Sequence, residues 1–148
     1  QTTSRKSSST KTNKTTTEAA TTNVPASGNG SAIVATAKQY LGYKYVYGGS
    51  SPSTGFDCSG FTSYVFKQHG ITLSRTSAGQ YGNGVAVSRA NLQPGDLVMF
   101  GKSSITHVAI YIGGGQIIHA STPSTGVRID SLSTGYYNNN YYGARRIV

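Results

Sequence analysis

The spacing of apolar positions changes once along the chain, from a helical period to a strand period. Upstream, Ile33, Val34, Ala37, Tyr40 and Leu41 recur at helical spacing and predict a helix over 31–41 with Ser31 as its N-cap. A second helix is predicted from Cys58 onward, in CSGFTSYVFKQHG. Phe61, Tyr64, Val65 and Gln68 align along one side, Asp57 supplies the N-capping carboxylate and Gly70 a C-cap. Between the two, YKYVYGGSSPSTGFD carries Gly, Pro and Ser at intervals that fit neither period and reads as an ordered loop. After a Ser-, Arg- and Gly-rich passage over 74–84, short strand-like runs follow at 96–100, 107–112, 116–120 and 127–129, and the chain closes with ARRIV. Helices first and strands after them predict an α+β architecture on a mainly antiparallel sheet.

The runs at 107–112 and 116–120 are separated by Gly113, Gly114 and Gly115, a glycine connection of the kind hairpins use. If all three form the loop, Ala109 faces His119, and His107 and His119 project from the same side as diagonal neighbours. If Gly113 and Gly114 alone make the turn, parity reverses and the two imidazoles point to opposite faces.

Composition narrows the picture. Among 148 residues there are 19 Gly and 11 Tyr against one Met and no Trp, which suits a turn-rich, strand-bearing fold and argues against a helical bundle. Residues 1–27 hold fourteen Ser or Thr and almost no large apolar side chain, so they are predicted to be a disordered linker. Such a tract serves as a tether between modules of an exported protein or as an inert spacer. The domain is then 28–148. No apolar run approaches the roughly 20 residues needed to cross a bilayer. The chain opens at Gln1 without a signal-peptide pattern and reads as a piece of a processed protein, with a monomer expected. The net charge is +9, of which the first 27 residues supply +3 through four basic residues and Glu18. That charge would draw the protein toward anionic wall polymers, membranes or nucleic acid. With no basic recognition helix and no aromatic–basic RNA motif, specific nucleic-acid binding is not expected.

The solitary Cys58 forbids an internal disulfide. A lone cysteine is commonly a small core filler, but one flanked by Asp57, Ser59 and Gly60 at a helix start has poor hydrophobic surroundings. The unpaired N–H groups there favour a thiolate, so a reactive thiol of lowered pKa is expected. A nucleophilic thiol needs a base, and three histidines are available. His69 falls about 16 Å along the helix from Cys58 at 1.5 Å per residue and reads as structural. His107 opens one strand and His119 ends the next, where a polar group can face a cleft. A zinc site built from Cys58, His107 and His119 competes with this reading but lacks local ligand spacing, so neither metal nor cofactor is expected. Arg75 either meets a substrate carboxylate through its planar fork or secures its own loop. Asp96, after Pro94 and Gly95, reads as a turn residue entering a strand. The tyrosines of 135–142 either stack on sugar rings or pack before the last strand, and packing is the preferred reading.

The succession YKYVYGG, GFDCSGF, LSRTSAGQ, LQPGDLVMF, HVAIYIGGGQIIHAS and YYGARRIV resembles the NlpC family of papain-like cell-wall cysteine peptidases across residues 31–148. The resemblance implies Cys58 as nucleophile, His107 as base and His119 as the residue that orients it. It also implies that Tyr45 helps bind substrate or the oxyanion, and that Asp57 and Ser59 receive the free amine of a short stem peptide. Lys44 stands where the family often has Pro, Tyr47 where Trp is common, and the loop over 48–57 is about one residue longer; these departures bear on substrate preference. The activity implied is that of an exported or wall-associated bacterial peptidoglycan endopeptidase, cutting between D-glutamate and the following diamino acid without a cofactor. A CHAP-like amidase or an acyltransferase would use the same thiol chemistry, and a wall-binding or adhesion module would use the basic charge and exposed tyrosines with Cys58 inert.

Overall fold

The computed structural model describes residues 28–148; the stretch predicted as a linker, 1–27, lies outside the described residues. Helix α1 spans Gly28–Lys38. It begins before Ser31, at residues that carry no apolar signal; there Gly30 lies so close to Pro94 that a Cβ on it would collide with the Pro94 carbonyl. It also ends sooner than predicted. Gln39, Tyr40 and Leu41 donate to carbonyls three residues back, which tightens the last turn and leaves Leu41 42% exposed, off the face that buries Ile33 and Ala37.

A short hairpin follows, β1 (Ser50–Ser51) paired with β2 (Gly55–Phe56), inside the segment read as a loop. It delivers the chain to helix α2, Cys58–Lys67, capped by the Asp57 carboxylate, which accepts from the Gly60 N–H at 2.7 Å. At the other end Gly70 adopts φ +78° while Gly70 N–H and Ile71 N–H donate to Lys67 and Phe66 carbonyls, the double closure that favours glycine after a helix. The buried side of α2 is wider than predicted. Phe61 and Val65 are inside, joined by Thr62 and Phe66, whereas Gln68 is exposed and donates to the Tyr40 hydroxyl.

The predicted antiparallel sheet is present. Strands β3 (Val85–Val87), β4 (Leu97–Phe100), β5 (His107–Gly113), β6 (Gln116–Ala120), β7 (Val127–Ser131) and β8 (Tyr141–Arg146) form six strands in the order β3-β8-β4-β5-β6-β7. Short helices α3 (Ser77–Gln80) and α4 (Gly135–Asn139) lie outside it. Strand β4 is buried along its whole length because both sheet faces are covered. Leu97, Met99, Val108, Ile110 and Ile118 meet the helices with Phe61, Val65 and Phe66, while Val98, Phe100, Ala109, Ile117 and Ala144 form a second cluster against Tyr137 and Tyr141.

Asp96 is more than the turn residue expected from its place after Pro94–Gly95. It is 2% exposed and accepts from Nε and Nη2 of Arg146, each at 2.9 Å, and from the Gln93 N–H. Removing the guanidinium would leave a buried carboxylate unpaired. Arg146→Ala is expected to lower the unfolding free energy by about 3 kcal/mol, read as a lower urea midpoint at unchanged slope; the double variant Asp96→Ala/Arg146→Ala should recover part of that loss.

Candidate active site

The loop before Cys58 is fixed by contacts that exclude side chains. A Cβ on Gly60 would collide with the Gly49 carbonyl and one on Gly49 with the Gly55 carbonyl. The Asp57 N–H donates to Gly49 and the Gly48 N–H to Asp57 Oδ2. These approaches give the paired glycines and the Asp-Cys-Ser-Gly run a physical reason: they seat the first turn of α2 against the loop. Arg75 then bridges the residues on either side of the cysteine. Its guanidinium donates to Ser59 Oγ at 2.9 Å and to both Asp57 oxygens at 3.3 Å. The alternative in which Arg75 secures its loop thus has a definite partner, and the same guanidinium also lines a larger cavity of about 660 Å³ with Lys67, Gln68 and Leu73.

Cys58 opens α2 as predicted. Its thiol is not lowered in pKa. Burial pushes it up, outweighing the N–H groups of Val108, Ser59 and Cys58 itself, which favour the thiolate; the Asp57 charge adds to the rise. Helix-terminus donors are present, but desolvation of the sulfur is the larger effect. Tyr45 shares the cavity with Cys58, and its hydroxyl is also pushed up, first by burial and then by the neighbouring Cys58 and Asp57.

The hairpin of β5 and β6 decides where the imidazoles go. The turn is two residues, Gly114–Gly115, with φ +63° and +76°, closing a Gly113–Gln116 pair. Between Tyr111 and Gly113 the register shifts by one, so Ile112 is an extra residue on β5. That bulge restores the pairing of Tyr111 with Ile117 and Ile110 with Ile118, the parity of the three-glycine alternative, although the loop itself is shorter. His107 and His119 therefore share a face, the one lined by Phe100 and Tyr137, and His107 Nε2 lies 2.6 Å from His119 Nδ1.

His107 lines a cavity of about 430 Å³ together with Cys58, Tyr45, Thr106, Ser121, Thr122, Tyr136 and Tyr137. His119 stands behind it, fully buried. Burial, with the adjacent His119, pushes His107 down to about 3. His119 is also lowered by burial, against an opposing pull from Asp130. Both rings are held neutral. His119 uses both nitrogens on protein partners, the second being Asp130 Oδ2 at 2.8 Å from Nε2, which leaves that ring no lone pair for a metal. His69 lies elsewhere, bonded to Thr36 Oγ1 at 2.7 Å between the two helices.

Asp130 was not among the residues singled out from the sequence, because the run over 127–129 stopped one residue short of it. Pairing of β6 with β7 sets His119 opposite Arg128 and Ile117 opposite Asp130, placing the carboxylate on the imidazole side of the sheet. Tyr136 and Tyr137 were read as packing residues. Tyr137 does pack, edge-on to His119 and Phe100, and its hydroxyl reaches Asp130; Tyr136 is 57% exposed and forms part of the cleft wall.

A family model described as NlpC/P60 family matches residues 42–146. The chain is 48% identical over 120 residues to a gamma-D-glutamyl-L-lysine dipeptidyl-peptidase of Bacillus cereus, covering 78% of this chain and 36% of that protein. It is 47% identical over 143 residues to a probable endopeptidase p60 of Listeria grayi, covering 92% of this chain and 27% of that protein. The chain thus spans about a third of the length of these curated relatives. Among solved structures, the NlpC/p60 domain of the peptidoglycan hydrolase SagA superposes with a TM-score of 0.73 at 40% identity, covering 80% of this chain and 99% of that one. With a family match over most of its length and a shared α+β frame, this chain belongs to the NlpC/P60 family.

Proposed function

We propose that the domain is a cysteine endopeptidase of bacterial peptidoglycan, acting at or outside the cell surface on the bond between D-glutamate and the following diamino acid of stem peptides. The observation that carries this reading is a thiol and an imidazole opening onto one cleft, with a second imidazole 2.6 Å behind the first. The relatives' names supply the substrate class: one is named for a gamma-D-glutamyl-L-lysine bond and a structural neighbour for peptidoglycan hydrolysis.

In the proposed reaction His107 takes the Cys58 proton as sulfur attacks the amide carbonyl, and backbone N–H groups of the first α2 turn stabilise the oxyanion, with the Tyr45 hydroxyl as a further donor. The C–N bond breaks as the His107 imidazolium gives its proton to the departing amine, leaving a thioester. Water deprotonated by His107 then releases the acyl product and frees the thiol. His119 holds the base in orientation. The Asp57–Ser59–Arg75 cluster beside the nucleophile is the proposed receiver of the stem peptide's termini, a carboxylate for the free amine and a guanidinium for a carboxylate.

Because burial favours the neutral thiol and the neutral imidazole, the proposed route is general-base catalysis, with the proton moving as substrate arrives rather than a standing thiolate–imidazolium pair. Because thiolate is the alkylated form, iodoacetamide modification of the free enzyme should rise with pH through an apparent pKa above the ordinary thiol value of about 8.5. A plateau of fast alkylation between pH 5 and 7 would instead indicate a preformed ion pair.

The function is tested with purified muropeptides and mass spectrometry. The expected products are one fragment ending in D-glutamate and one beginning with the diamino acid. Release of the whole stem peptide would indicate an amidase, and binding without cleavage an inert wall-binding module. Cys58→Ala should lose activity on the order of 10⁴-fold or more while still binding substrate.

A further inference from the structure

An ionised carboxylate can only accept hydrogen bonds, whereas a neutral imidazole has one donating and one accepting nitrogen. Asp130 Oδ2 lies 2.8 Å from His119 Nε2, so the His119 proton sits on Nε2 and its Nδ1 presents a lone pair. The 2.6 Å contact between the rings then has a single polarity, with His107 Nε2–H donating to His119 Nδ1. The nitrogen of His107 left without a proton is Nδ1. We propose that Asp130 is a positioning residue that sets the tautomers of His119 and His107 in series, making His107 Nδ1 the atom that accepts the Cys58 proton. The inference deepens the endopeptidase reading and rests on His107 being the base. In that step the S–H bond breaks with its electron pair staying on sulfur and an N–H bond forms at Nδ1; the Nε2 protons of both rings stay where they are.

The carboxylate is itself held in one orientation. Arg128 Nη2 donates to Oδ1 at 3.0 Å, leaving Oδ2 for His119 and, at 3.5 Å, the Tyr137 hydroxyl. This asymmetry makes an isosteric substitution informative. In Asp130→Asn, Arg128 keeps the amide oxygen at the Oδ1 position, so the NH₂ group turns toward His119 Nε2. That nitrogen must then accept, and the polarity of the whole series reverses. His107 becomes protonated on Nδ1 and has no lone pair there for the thiol proton.

The test is long-range ¹H–¹⁵N correlation spectroscopy of the histidines at pH 7, paired with kinetics on a stem-peptide substrate. The unsubstituted chain is expected to show His107 and His119 both protonated at Nε2. Asp130→Asn should shift both to Nδ1–H and lower kcat on the order of 10⁴-fold with KM little changed, as a wrong tautomer does in a Ser-His-Asp enzyme. Arg128→Ala/Asp130→Asn frees the amide to turn its oxygen back, so the Nε2–H signatures and part of kcat should return, a recovery that simple structural damage would not produce. An Nδ1–H form of either ring in the unsubstituted chain, or Nε2–H forms persisting in Asp130→Asn, would overturn the proposal. If Asp130→Asn does not fold, the spectrum of the unsubstituted chain decides it. Tautomers as stated in a protein that cuts no stem peptide would reject the endopeptidase reading and leave the tautomer assignment standing.

Discussion

One extra residue in one strand carries the geometry of the site. Side chains alternate along a strand with a period of two, so a two-residue Gly114–Gly115 turn in unbroken register would have placed His107 and His119 on opposite faces. The bulge at Ile112 shifts the pairing by one and returns both rings to the same face. There they meet each other, Phe100 and Tyr137, with His107 opening onto the cleft that Cys58 lines, while the neighbouring Val108 and Ile118 fill the core beneath α2. Two imidazoles in that setting would each be costly to leave unpaired, by about 1–3 kcal/mol. The hydrogen bonds from ring to ring and from ring to carboxylate offset this cost.

Acidic residues are few, and their placement is economical. The chain has four Asp or Glu in all, and each of the three within the described residues faces an arginine: Asp57 with Arg75, Asp96 with Arg146, Asp130 with Arg128. Each also does something that an arginine pair alone would not require. Asp57 caps the helix that begins with the cysteine, Asp96 accepts from the Gln93 N–H in the turn before β4, and Asp130 braces His119. The net charge of +9 therefore coexists with a site that holds two oriented carboxylates, Asp57 beside Cys58 and Asp130 behind His119. Burial is the largest influence on Cys58, His107 and His119, and in each case it favours the uncharged form.

Much of this was legible residue by residue. Asp57 as cap, Cys58 as the first residue of α2 and Gly70 as its terminator follow from local preferences that act within a single turn of helix. The strand runs and their antiparallel order follow from period-two patterning and glycine connections. Asp130 and the hairpin at 50–56 were hidden, because nothing in their immediate neighbours marks them, and the tyrosine run over 135–142 did not say which ring would face the cleft. Asp130 matters only through a cross-strand register, and the two-residue strands exist only because Phe56 is pulled into the core between Tyr40 and Phe61.

The sequence by itself determined which atoms are available: one thiol, three imidazoles, a glycine hairpin and the ordered blocks that mark the family. Tertiary structure decided how those atoms are charged and aimed. A helix N-terminus favours thiolate by local dipoles, but desolvation depends on everything packed around the sulfur and outweighs it. Likewise Gly113–Gly115 permits either parity, since glycine accepts the positive φ that each turn needs, and only the pairing of the whole strands, with Val108, Ile110 and Ile118 seeking the helix-side core, selects the bulged register.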